Sequence, residues 1–559
     1  MWELFTQQPD LSQKISQKIG GSSLVAQILL NRGIRSVSDA MSFLFPDTLP
    51  VSTFDSDLLT HFYNLILQTR ESGKKILVYG DYDVDGMTSV SMMVTVLQTM
   101  GCRVDFWIPH RFDEGYGLTP VVIPRLLATH ATDPYGLIIT LDCGGSSLEE
   151  IASLREAGLA VAVLDHHTLP TTLPNANVLI HPKQLDPTHP LWHLCTAGIV
   201  LQVIQYLATR HPGIDPSAYW DLAALGTIAD VATLKGENRR IVSQGLLALN
   251  KRTCVGLDAL LTCIQFNKTT ISVRDVGFSI APHLNAAGRI HHASLGVRLL
   301  LEKDPKKALA LSEQLHQLNT KRQSMGQLLL KEAQDALSKE GLSSIIVLSS
   351  PEWHGGIIGI IASRLAEKHS RPVVLIAVEN GIGRGSARTI GNINIYDILR
   401  PFSHFFISFG GHKEAAGFSI EDSQIPEFKK AILAFCHTHI HPNQLEPVLS
   451  IDAVLQPDQL SDKVYTELCQ LGPFGAGNPQ PLFYINSLNV IACKPVGDGS
   501  HIKVVFTDKE GKNVWDGIGF GLAHKLDMLY KESLEVLFRL EMNYWQNTDR
   551  LQLSIVDVT

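Results

Sequence analysis

The sequence predicts an α/β protein in which a parallel-sheet domain is joined by a long helix to a second α/β domain, followed by a C-terminal β-barrel of the oligonucleotide-binding (OB) type. Three observations support this prediction. The 559 residues, 45% of them hydrophobic, exceed what a single core usually organises. Apolar runs alternate with helix-like segments in two regions, at about residues 75–232 and 343–438. Residues 449–559 instead contain short strand-like runs separated by turns.

The first elements are an N-terminal helical segment and a parallel sheet. Residues 1–50 are mostly helical in pattern, and Ser36 is placed to cap a helix. In the region that follows, apolar runs alternate with helix-like segments, which predicts a parallel sheet covered by helices on both faces. The apolar runs are residues 75–79, 103–108, 136–141 and 160–164, and the helical segments include residues 88–99 and 147–157. In such sheets, ligands bind at the carboxyl ends of the strands.

A long helix is predicted next, at residues 303–339. Apolar side chains recur there at helical spacing, with lysine, glutamine and glutamate between them. The apolar positions are Leu311, Leu315, Leu318, Met325 and Leu329. A rigid connector between domains and an ordinary packed surface helix both produce this pattern.

The C-terminal strands carry aromatic side chains that could stack on nucleic-acid bases. The strand-like runs are residues 481–485, 502–506, 536–540 and 551–555. Strands of this length and spacing favour a small barrel. The aromatic candidates are Phe474, Phe483, Tyr484, Trp515 and Phe520, of which we expect at least half to lie in the core.

Composition restricts the class of protein. The net charge of −8 is unusual for a passive nucleic-acid binder, although an acidic metal centre would account for part of it. The eight cysteines form no C-x-x-C pair, which argues against a zinc ribbon or a disulfide framework and suits the cytoplasm. The sequence contains no apolar run long enough to span a membrane and no secretory pattern at its start.

Acidic and imidazole clusters are the main chemical signal. Four of them follow or close apolar runs that resemble strands, where carboxylates are rare unless paired or bound to metal. In order they are D-Y-D-V-D-G at residues 81–86, L-D-C-G at 141–144, L-D-H-H at 164–167 and T-I-A-D at 227–230, with L-N-A-A-G-R at 284–289. If these side chains converge, they form a two-metal site, and such sites mostly cleave phosphate esters.

The local sequence of the clusters bears on their geometry and on alternative roles. Asp83 and Asp85 alternate, so on an extended segment they would point the same way, with Gly86 turning the chain into a helix that begins near Met87. A calcium loop is disfavoured because Met92 stands where that loop needs glutamate. Taken singly, the aspartates could be turn or helix-end residues and the histidine pair could be structural.

Together, the clusters resemble the motifs of the DHH phosphoesterase superfamily. Asp165-His166-His167 matches its signature, and the G-G-H-K-E-A-A-G stretch at residues 410–417 resembles that of the DHH-associated domain. The W-H-G-G-I-I-G-I-I-A-S-R stretch at 353–364 is similar to one in the RecJ family of single-strand-specific exonucleases. Further similar stretches are residues 80–86, 221–231, 284–289 and 472–479.

The resemblance implies a domain division and a set of metal ligands. The divisions are an N-terminal helical segment (1–50), a DHH phosphoesterase domain (51–302), a connector helix (303–340), a DHH-associated substrate-binding domain (341–445) and an OB-like nucleic-acid-binding domain (446–559). Two Mn²⁺ or Mg²⁺ ions are implied, held by Asp83, Asp85, Asp142, His166, His167 and Asp230. Asp165 is expected to orient His166 or the metal cluster without binding a metal ion itself. Asp221 is the alternative to Asp230 as a ligand.

The resemblance also implies residues that contact the substrate. Arg289 matches a residue at the scissile phosphate and completes the catalytic set formed with Asp165 and the six ligands. The expected substrate-binding residues are Arg289, His354, Gly355, Arg384, Arg388, Gly410, Gly411 and His412. Departures from the family pattern at Gly145, His283, His291, His292 and Gly385 remove none of the expected ligands.

The expected function is metal-dependent 5′-to-3′ degradation of single-stranded DNA to 5′-mononucleotides, in repair and recombination, by a two-metal mechanism. The expected partners are single-stranded DNA and, as in the family, a helicase and a single-strand-binding protein, with the protein itself a monomer. One alternative is a DHH phosphoesterase that acts on short oligonucleotides or cyclic dinucleotides. Another is a non-catalytic binding module of the same fold.

Overall fold

The structure is a computed structural model of the chain and describes residues 1–48, 50, 52–531, 534–545 and 548–559. The predicted boundary between residues 50 and 51 adjoins positions 49 and 51, which lie outside the described residues. The chain begins with a short strand and three helices: β1 (Trp2–Leu4), α1 (Pro9–Ile19), α2 (Ser23–Asn31) and α3 (Val37–Leu44). Ser36 caps α3 as predicted, because its hydroxyl accepts the Asp39 amide at 3.0 Å.

The first domain contains the predicted parallel sheet, with strand order β3-β2-β4-β5-β6. Its strands are β2 (Lys75–Gly80), β3 (Arg103–Trp107), β4 (Tyr135–Leu141), β5 (Ala160–Leu164) and β6 (Val178–Ile180). The helices between and before them are α4 (Ser56–Glu71), α5 (Val84–Thr99), α6 (Ile123–Thr132) and α7 (Leu148–Glu156). Because the strands are parallel, the segments after β2, β4 and β5 all emerge at one edge of the sheet.

A helical half completes this domain and corrects one sequence prediction. Its helices are α8 (Thr196–Arg210), α9 (Trp220–Ala229), α10 (Gly236–Asn250), α11 (Val255–Cys263), α12 (Val273–Asp275), α13 (Ala281–Ile290) and α14 (Ser294–Leu301), with a π-helical turn at Val276–Ile280. Asp230 therefore ends a helix and not a strand-like run as predicted, and Arg289 also lies within a helix. Helix α9 is buried from Asp221 to Ile228, so its apolar run lacks the polar face that reveals a helix.

The long helix, α15 (Pro305–Glu340), joins the two α/β domains. Asp304 caps it by accepting the Lys306 amide at 2.8 Å. Leu315 belongs to the core of the first domain, and Leu329 belongs to a core shared with the second domain. One side of the helix thus packs against both domains, which favours the connector interpretation over an ordinary surface helix.

A histidine pair links α13 to the connector. His283 Nδ1 contacts the Ser279 carbonyl, so this nitrogen must donate, and Nε2 then accepts from Asn319 Nδ2 at 3.1 Å. His316 Nδ1 lies 3.2 Å from the same Nε2, and the side-chain oxygen of Asn319 accepts from Arg322. A proton added to His283 Nε2 would therefore face the Asn319 amide donor and lie near the positive charge of Arg322. Burial first, and then His316 and Arg322, lower the pKa of His283 below 6.5.

We expect this network to make the fold acid-sensitive. Because the pKa of His283 is lower in the folded chain than in the unfolded chain, the unfolded chain binds more protons as the pH falls below about 6.5. The contribution of His283 to the free energy of unfolding is therefore fully present above that pH and declines below it. Thermal unfolding in EDTA at about pH 8 and about pH 5.5 should show a smaller decline for His283→Gln than for the parent. His61→Gln, at an exposed position, is the control, and equal declines in both variants would contradict the interpretation.

The second domain is a mixed five-stranded sheet with order β10-β11-β9-β8-β7. Only β7 and β8 are parallel neighbours, and the other pairs are antiparallel. The elements are β7 (Ile346–Ser350), α16 (Gly355–His369), β8 (Val373–Glu379), β9 (Ile382–Arg388), α17 (Ile395–Leu399), β10 (Phe406–Gly411), β11 (Ala415–Glu421) and α18 (Ile425–His439). The start of α16, the end of β9 and the β10–β11 turn contribute to the cleft described below.

The C-terminal domain is a seven-stranded sheet with order β13-β14-β18-β19-β17-β16-β15. The elements are β12 (Leu449–Ile451), β13 (Ala453–Val454), α19 (Asp462–Cys469), β14 (Phe483–Ile485), β15 (Leu488–Val496), β16 (His501–Asp508), β17 (Val514–Gly519), β18 (Val536–Trp545) and β19 (Thr548–Val558). Phe483 and Trp515 are buried and so are core residues rather than stacking platforms, whereas Phe520 is exposed. Phe474 and Tyr484 are half-buried.

The N-terminal segment packs on this C-terminal domain. Strand β1 pairs in parallel with β12, with Trp2 opposite Leu449. Ile15 and Ile28 from the N-terminal helices share one hydrophobic core with Phe538. The two ends of the chain therefore form one packed unit, which the sequence pattern did not indicate. Among the described residues, no helix is both long and apolar enough to cross a membrane.

Candidate metal centre and substrate cleft

The first aspartate cluster forms the N-terminal turn of α5. Asp83 is the cap of this helix, and its Oδ1 accepts the amides of Asp85 at 2.9 Å and Gly86 at 3.2 Å. The helix begins at Val84, before the predicted start, so Asp85 lies in the first helical turn and not on an extended segment. A Cβ at Gly86 would lie 2.4 Å from the Asp81 carbonyl oxygen, so glycine is required for this close turn.

Asp85 is fixed by the N-terminus of another helix, α8. Its two oxygens accept the amides of Thr196 and Ala197, each at 2.8 Å. The partial positive charge of that helix end stabilises the carboxylate. Burial and the nearby Asp83 nevertheless raise the pKa of Asp85 to about 6. The side chain is thus held in place next to a second carboxylate, an arrangement that a bound cation would stabilise.

Asp142 follows β4 in a left-handed backbone conformation, with φ of 65°. Its amide donates to the Leu164 carbonyl at 3.0 Å, and its Oδ1 accepts from the Thr196 hydroxyl at 3.2 Å. Burial, and then the charges of Asp85 and Asp83, raise the pKa of Asp142 well above its ordinary value. The strand end thus directs a buried carboxylate towards the first cluster.

Asp165 orients the histidine pair after β5. Its Oδ1 accepts the His166 amide at 2.7 Å and lies 2.8 Å from His167 Nδ1, while Oδ2 accepts the Gly145 amide at 2.8 Å. The ring that it holds is that of His167, not of His166. Burial opposes ionisation of Asp165, but the hydrogen bond and charge of His167 outweigh it and lower the pKa of this carboxyl.

The two histidines differ in electrostatic environment. Burial and His167 lower the pKa of His166 to about 3, so this ring is neutral at pH 7. His166 Nε2 lies 3.3 Å from Asp142 Oδ1 yet makes no hydrogen bond. Burial lowers the pKa of His167, but Asp165 outweighs this effect and raises it to about 9. A neutral imidazole with a buried, unpartnered nitrogen is the form that binds metal.

Asp230 ends helix α9 and faces the first cluster. Burial, and then Asp85 and Asp83, raise its pKa to about 9. The next residue, Val231, has φ of 57°, a left-handed conformation that is rare for a β-branched residue. Asp221, the alternative candidate, lies at the other end of this ten-residue helix, where its Oδ1 accepts the Leu222 amide at 2.7 Å.

The predicted ligands converge. Potential ligand atoms lie within 4.8 Å of one another in three groups: Asp142, His166 and His167; Asp85, Cys195 and Asp230; and Asp81, Asp83 and Asp142. Several carboxylates with imidazole suit Mn²⁺ and, through the oxygens, Mg²⁺. The unpartnered His166 nitrogen and the mutually repelling carboxylates fit this assignment. The sequence alone gives no signal for Cys195, because a single cysteine in L-C-T-A-G has no metal-ligand spacing.

A cleft of about 830 Å³ lies beside this centre, between the two α/β domains. Every expected substrate residue except His354 lines it. From the first domain it includes Tyr82, Arg111, Phe112, Tyr116, Asp165, His167 and Arg289, and from the second Gly355, Arg384, Ser386, Arg388, Gly410, Gly411 and His412. His354 instead caps α16 by accepting the Gly356 amide at 3.1 Å, and its ring meets Phe112 edge-on.

Arginines give the cleft its charge. Among the described residues, Arg111, Arg289, Arg384 and Arg388 have no salt-bridge partner within 4.0 Å. Arg289 donates to the Gly356 carbonyl at 3.3 Å, and burial with its arginine neighbours lowers its pKa to about 9. Arg111 and Arg384 lie over the rings of Tyr82 and Phe112. These cations suit an anionic ligand. Arg111 was not among the expected substrate residues, although it follows the end of β3.

Comparisons with known proteins agree with this geometry. Residues 75–227 match the DHH family N-terminal domain, residues 342–438 match the DHHA1 domain, and residues 451–557 match the RecJ OB domain. The single-stranded-DNA-specific exonuclease RecJ of Salmonella typhimurium is 31% identical, over 96% of this chain and 95% of that protein. The RecJ of Thermus thermophilus is 37% identical, over 88% of this chain and 70% of that protein.

Solved structures show the same similarity. RecJ from Thermus thermophilus in complex with Mn²⁺ superposes with a TM-score of 0.85 and 30% identity, covering 100% of this chain and 79% of that one. The complex with Mg²⁺ superposes with a TM-score of 0.79 and 29% identity, covering 100% of this chain and 78% of that one. The metals bound by these neighbours are the two that the donor set favours.

Proposed function

This chain belongs to the RecJ family, and from that premise we propose that it is a metal-dependent exonuclease specific for single-stranded DNA. The observation that carries the proposal is the convergence of six candidate ligands beside a cleft lined by arginines that form no salt bridge within the described part of the chain. We further propose that it acts in the 5′-to-3′ direction and releases 5′-mononucleotides. The retained carboxylates favour an enzyme over a non-catalytic binding module of this fold.

The proposed ligands are Asp83, Asp85, Asp142, His166, His167 and Asp230, holding two Mn²⁺ or Mg²⁺ ions. Such ions would supply charge neutralisation at the phosphodiester and an activated water. Asp81 and Cys195 are close enough to contribute to the same centre. Asp165 keeps the His167 ring and the backbone of both histidines in place.

The cleft arginines position the substrate. Arg289 is half-buried in the lining of the cleft, with Asp83 among the charges that act on it, so its guanidinium can contact a phosphate at the metal centre. Arg384 and Arg388 lie on the opposite domain and can bind backbone phosphates of the strand. Gly410 has nothing within 4 Å of its missing Cβ, so its backbone can approach a phosphate closely. Together these residues orient the scissile bond and stabilise negative charge.

We also propose the domain division given by the sequence, with the helix Pro305–Glu340 as the connector. We propose a cytoplasmic location, which suits the free cysteines. We propose that the protein is a monomer, because each chain contains a complete centre and cleft. A helicase and a single-strand-binding protein remain proposed partners.

The test is release of label from a long single-stranded DNA labelled at its 5′ end. With Mn²⁺, labelled mononucleotide should appear at early times, and EDTA should abolish its release. The same DNA labelled at its 3′ end should release label only late. Hydrolysis of short oligonucleotides or cyclic dinucleotides without attack on the long strand would instead establish the alternative phosphoesterase activity.

A further inference from the structure

We propose that the C-terminal domain positions the ligand Asp230, through a turn at residues 471–479 that packs on the segment following this aspartate. The inference rests on the assignment of Asp230 as a metal ligand under the proposed function. It gives the C-terminal domain a role at the metal centre in addition to any contact with DNA.

The segment after Asp230 has a backbone conformation that its sequence disfavours. Val231 occupies the left-handed region at the end of α9, where glycine is the usual residue. Its amide donates to the Ile228 carbonyl at 3.1 Å, and the next amide, that of Ala232, donates to Thr227 at 3.2 Å. Val231 is 71% exposed, so packing of its own side chain does not hold it there. Such a conformation persists only when surrounding contacts impose it.

The turn provides those contacts. The Leu234 amide donates to the Ala476 carbonyl at 2.8 Å, which ties the two segments together. Glycines make this approach possible. A Cβ at Gly475 would lie 2.7 Å from Leu234 Cδ1, and one at Gly477 would lie 2.5 Å from Thr233 Cγ2. A larger residue at these positions would have to displace the Leu234 or Thr233 side chain in the segment after Asp230.

The turn is itself internally braced. Asn478 is fully buried, and its amide nitrogen donates to the carbonyls of Leu471 at 2.8 Å and Pro473 at 2.9 Å. Its oxygen accepts from Arg32 Nε at 2.8 Å, which attaches the turn to the N-terminal helices. The turn therefore presents a preformed surface to the segment after Asp230.

Arg239 attaches the turn to the first domain. This residue lies in α10 and is 2% exposed, yet its partners are backbone carbonyls and not a carboxylate. Its Nη2 donates to Gly472 at 2.6 Å and Leu471 at 2.9 Å, and its Nε donates to Phe43 at 2.6 Å. The preceding residue, Asn238, donates to the Thr233 carbonyl at 3.1 Å. Helix α10 thus holds both the turn and the segment on which the turn packs.

The experiment measures Mn²⁺ affinity of the full-length protein without DNA, from the electron paramagnetic resonance signal of free Mn²⁺. Gly477→Ala should weaken binding of one of the two ions about tenfold, the effect typical of residues that support metal ligands. Gly499→Ala is the matched control, because this glycine also has a positive φ but has nothing within 4 Å of its missing Cβ. It should leave both affinities within twofold of the parent.

A rescue separates positioning from general damage. Adding Thr233→Ser to Gly477→Ala removes the methyl group that the new Cβ meets, and should restore most of the lost affinity.

Arg239→Lys is a milder second variant. It keeps the charge but cannot reach several carbonyls at once, and should also weaken one ion about tenfold. Circular dichroism in EDTA verifies that each variant is folded.

Two outcomes would contradict the positioning role of the turn without affecting the ligand assignment. One is unchanged Mn²⁺ affinity in folded Gly477→Ala or Arg239→Lys, and the other is an equal loss of Mn²⁺ affinity in Gly499→Ala. Asp230→Asn distinguishes these from failure of the proposed site. If Asp230→Asn leaves Mn²⁺ binding unchanged, the ligand assignment is wrong and the inference fails with it. If Asp230→Asn weakens binding while the turn variants do not, the ligand assignment stands and only the positioning role is lost.

Discussion

Replacement of Asp83 by asparagine is expected to lower the rate of DNA hydrolysis about a thousandfold, or about 4 kcal/mol at 1.36 kcal/mol for each factor of ten. Asparagine keeps the oxygen that caps α5 and accepts the Asp85 and Gly86 amides, so helix stability should be retained. What is lost is the charge that the proposed metal ions require. The measurement is single-turnover release of label with saturating protein and Mn²⁺.

Asp83→Ala provides the comparison for that prediction. It removes the charge and the cap together, so it should lose the same activity and also about 1 kcal/mol of stability. Single-stranded DNA binding in EDTA should be retained in both variants, because the cleft arginines are unchanged. Full activity in Asp83→Asn would show that this carboxylate is not a metal ligand.

Replacement of Arg289 by glutamine is expected to lower kcat about a hundredfold to a thousandfold, the range observed when one preorganised donor to a developing charge is removed. Arg289 is half-buried, with Asp83 among the charges that act on it, and a charge acts more strongly there than at the fully exposed surface. Because the interaction strengthens as charge develops on the phosphate, the loss should be larger in kcat than in DNA affinity. Steady-state kinetics on single-stranded DNA and equilibrium binding in EDTA separate the two effects.

Arg384→Gln is the matched control for Arg289→Gln. Arg384 lies on the second domain, over the Phe112 ring, and is proposed to bind backbone phosphate away from the reacting bond. Its replacement should raise KM with little change in kcat. If Arg289→Gln behaves like Arg384→Gln, Arg289 binds the strand but does not stabilise the reaction.

The order of apolar, helical and acidic segments along the chain predicted the parallel sheet, the acidic clusters at its edge and the connector helix. Alternating apolar and helical segments predicted the parallel sheet, and in such a sheet Asp81, Asp142 and Asp165 must lie at one edge because the strands run in the same direction. Local spacing therefore indicated both the fold class and the core of the candidate metal centre. The connector helix was predicted for the same reason, since helical periodicity is a local property.

Other features depend on contacts between distant segments. Asp230 and Arg289 reach the centre from helices, one of them too completely buried to show a helical pattern. Arg111 and Cys195 become relevant only when the chain folds around them. The N-terminal helices share a core with the C-terminal domain, and the turn at residues 471–479 meets the segment after Asp230. Sequence periodicity records which face of an element is buried but not what covers it, so only the tertiary structure decided these partners.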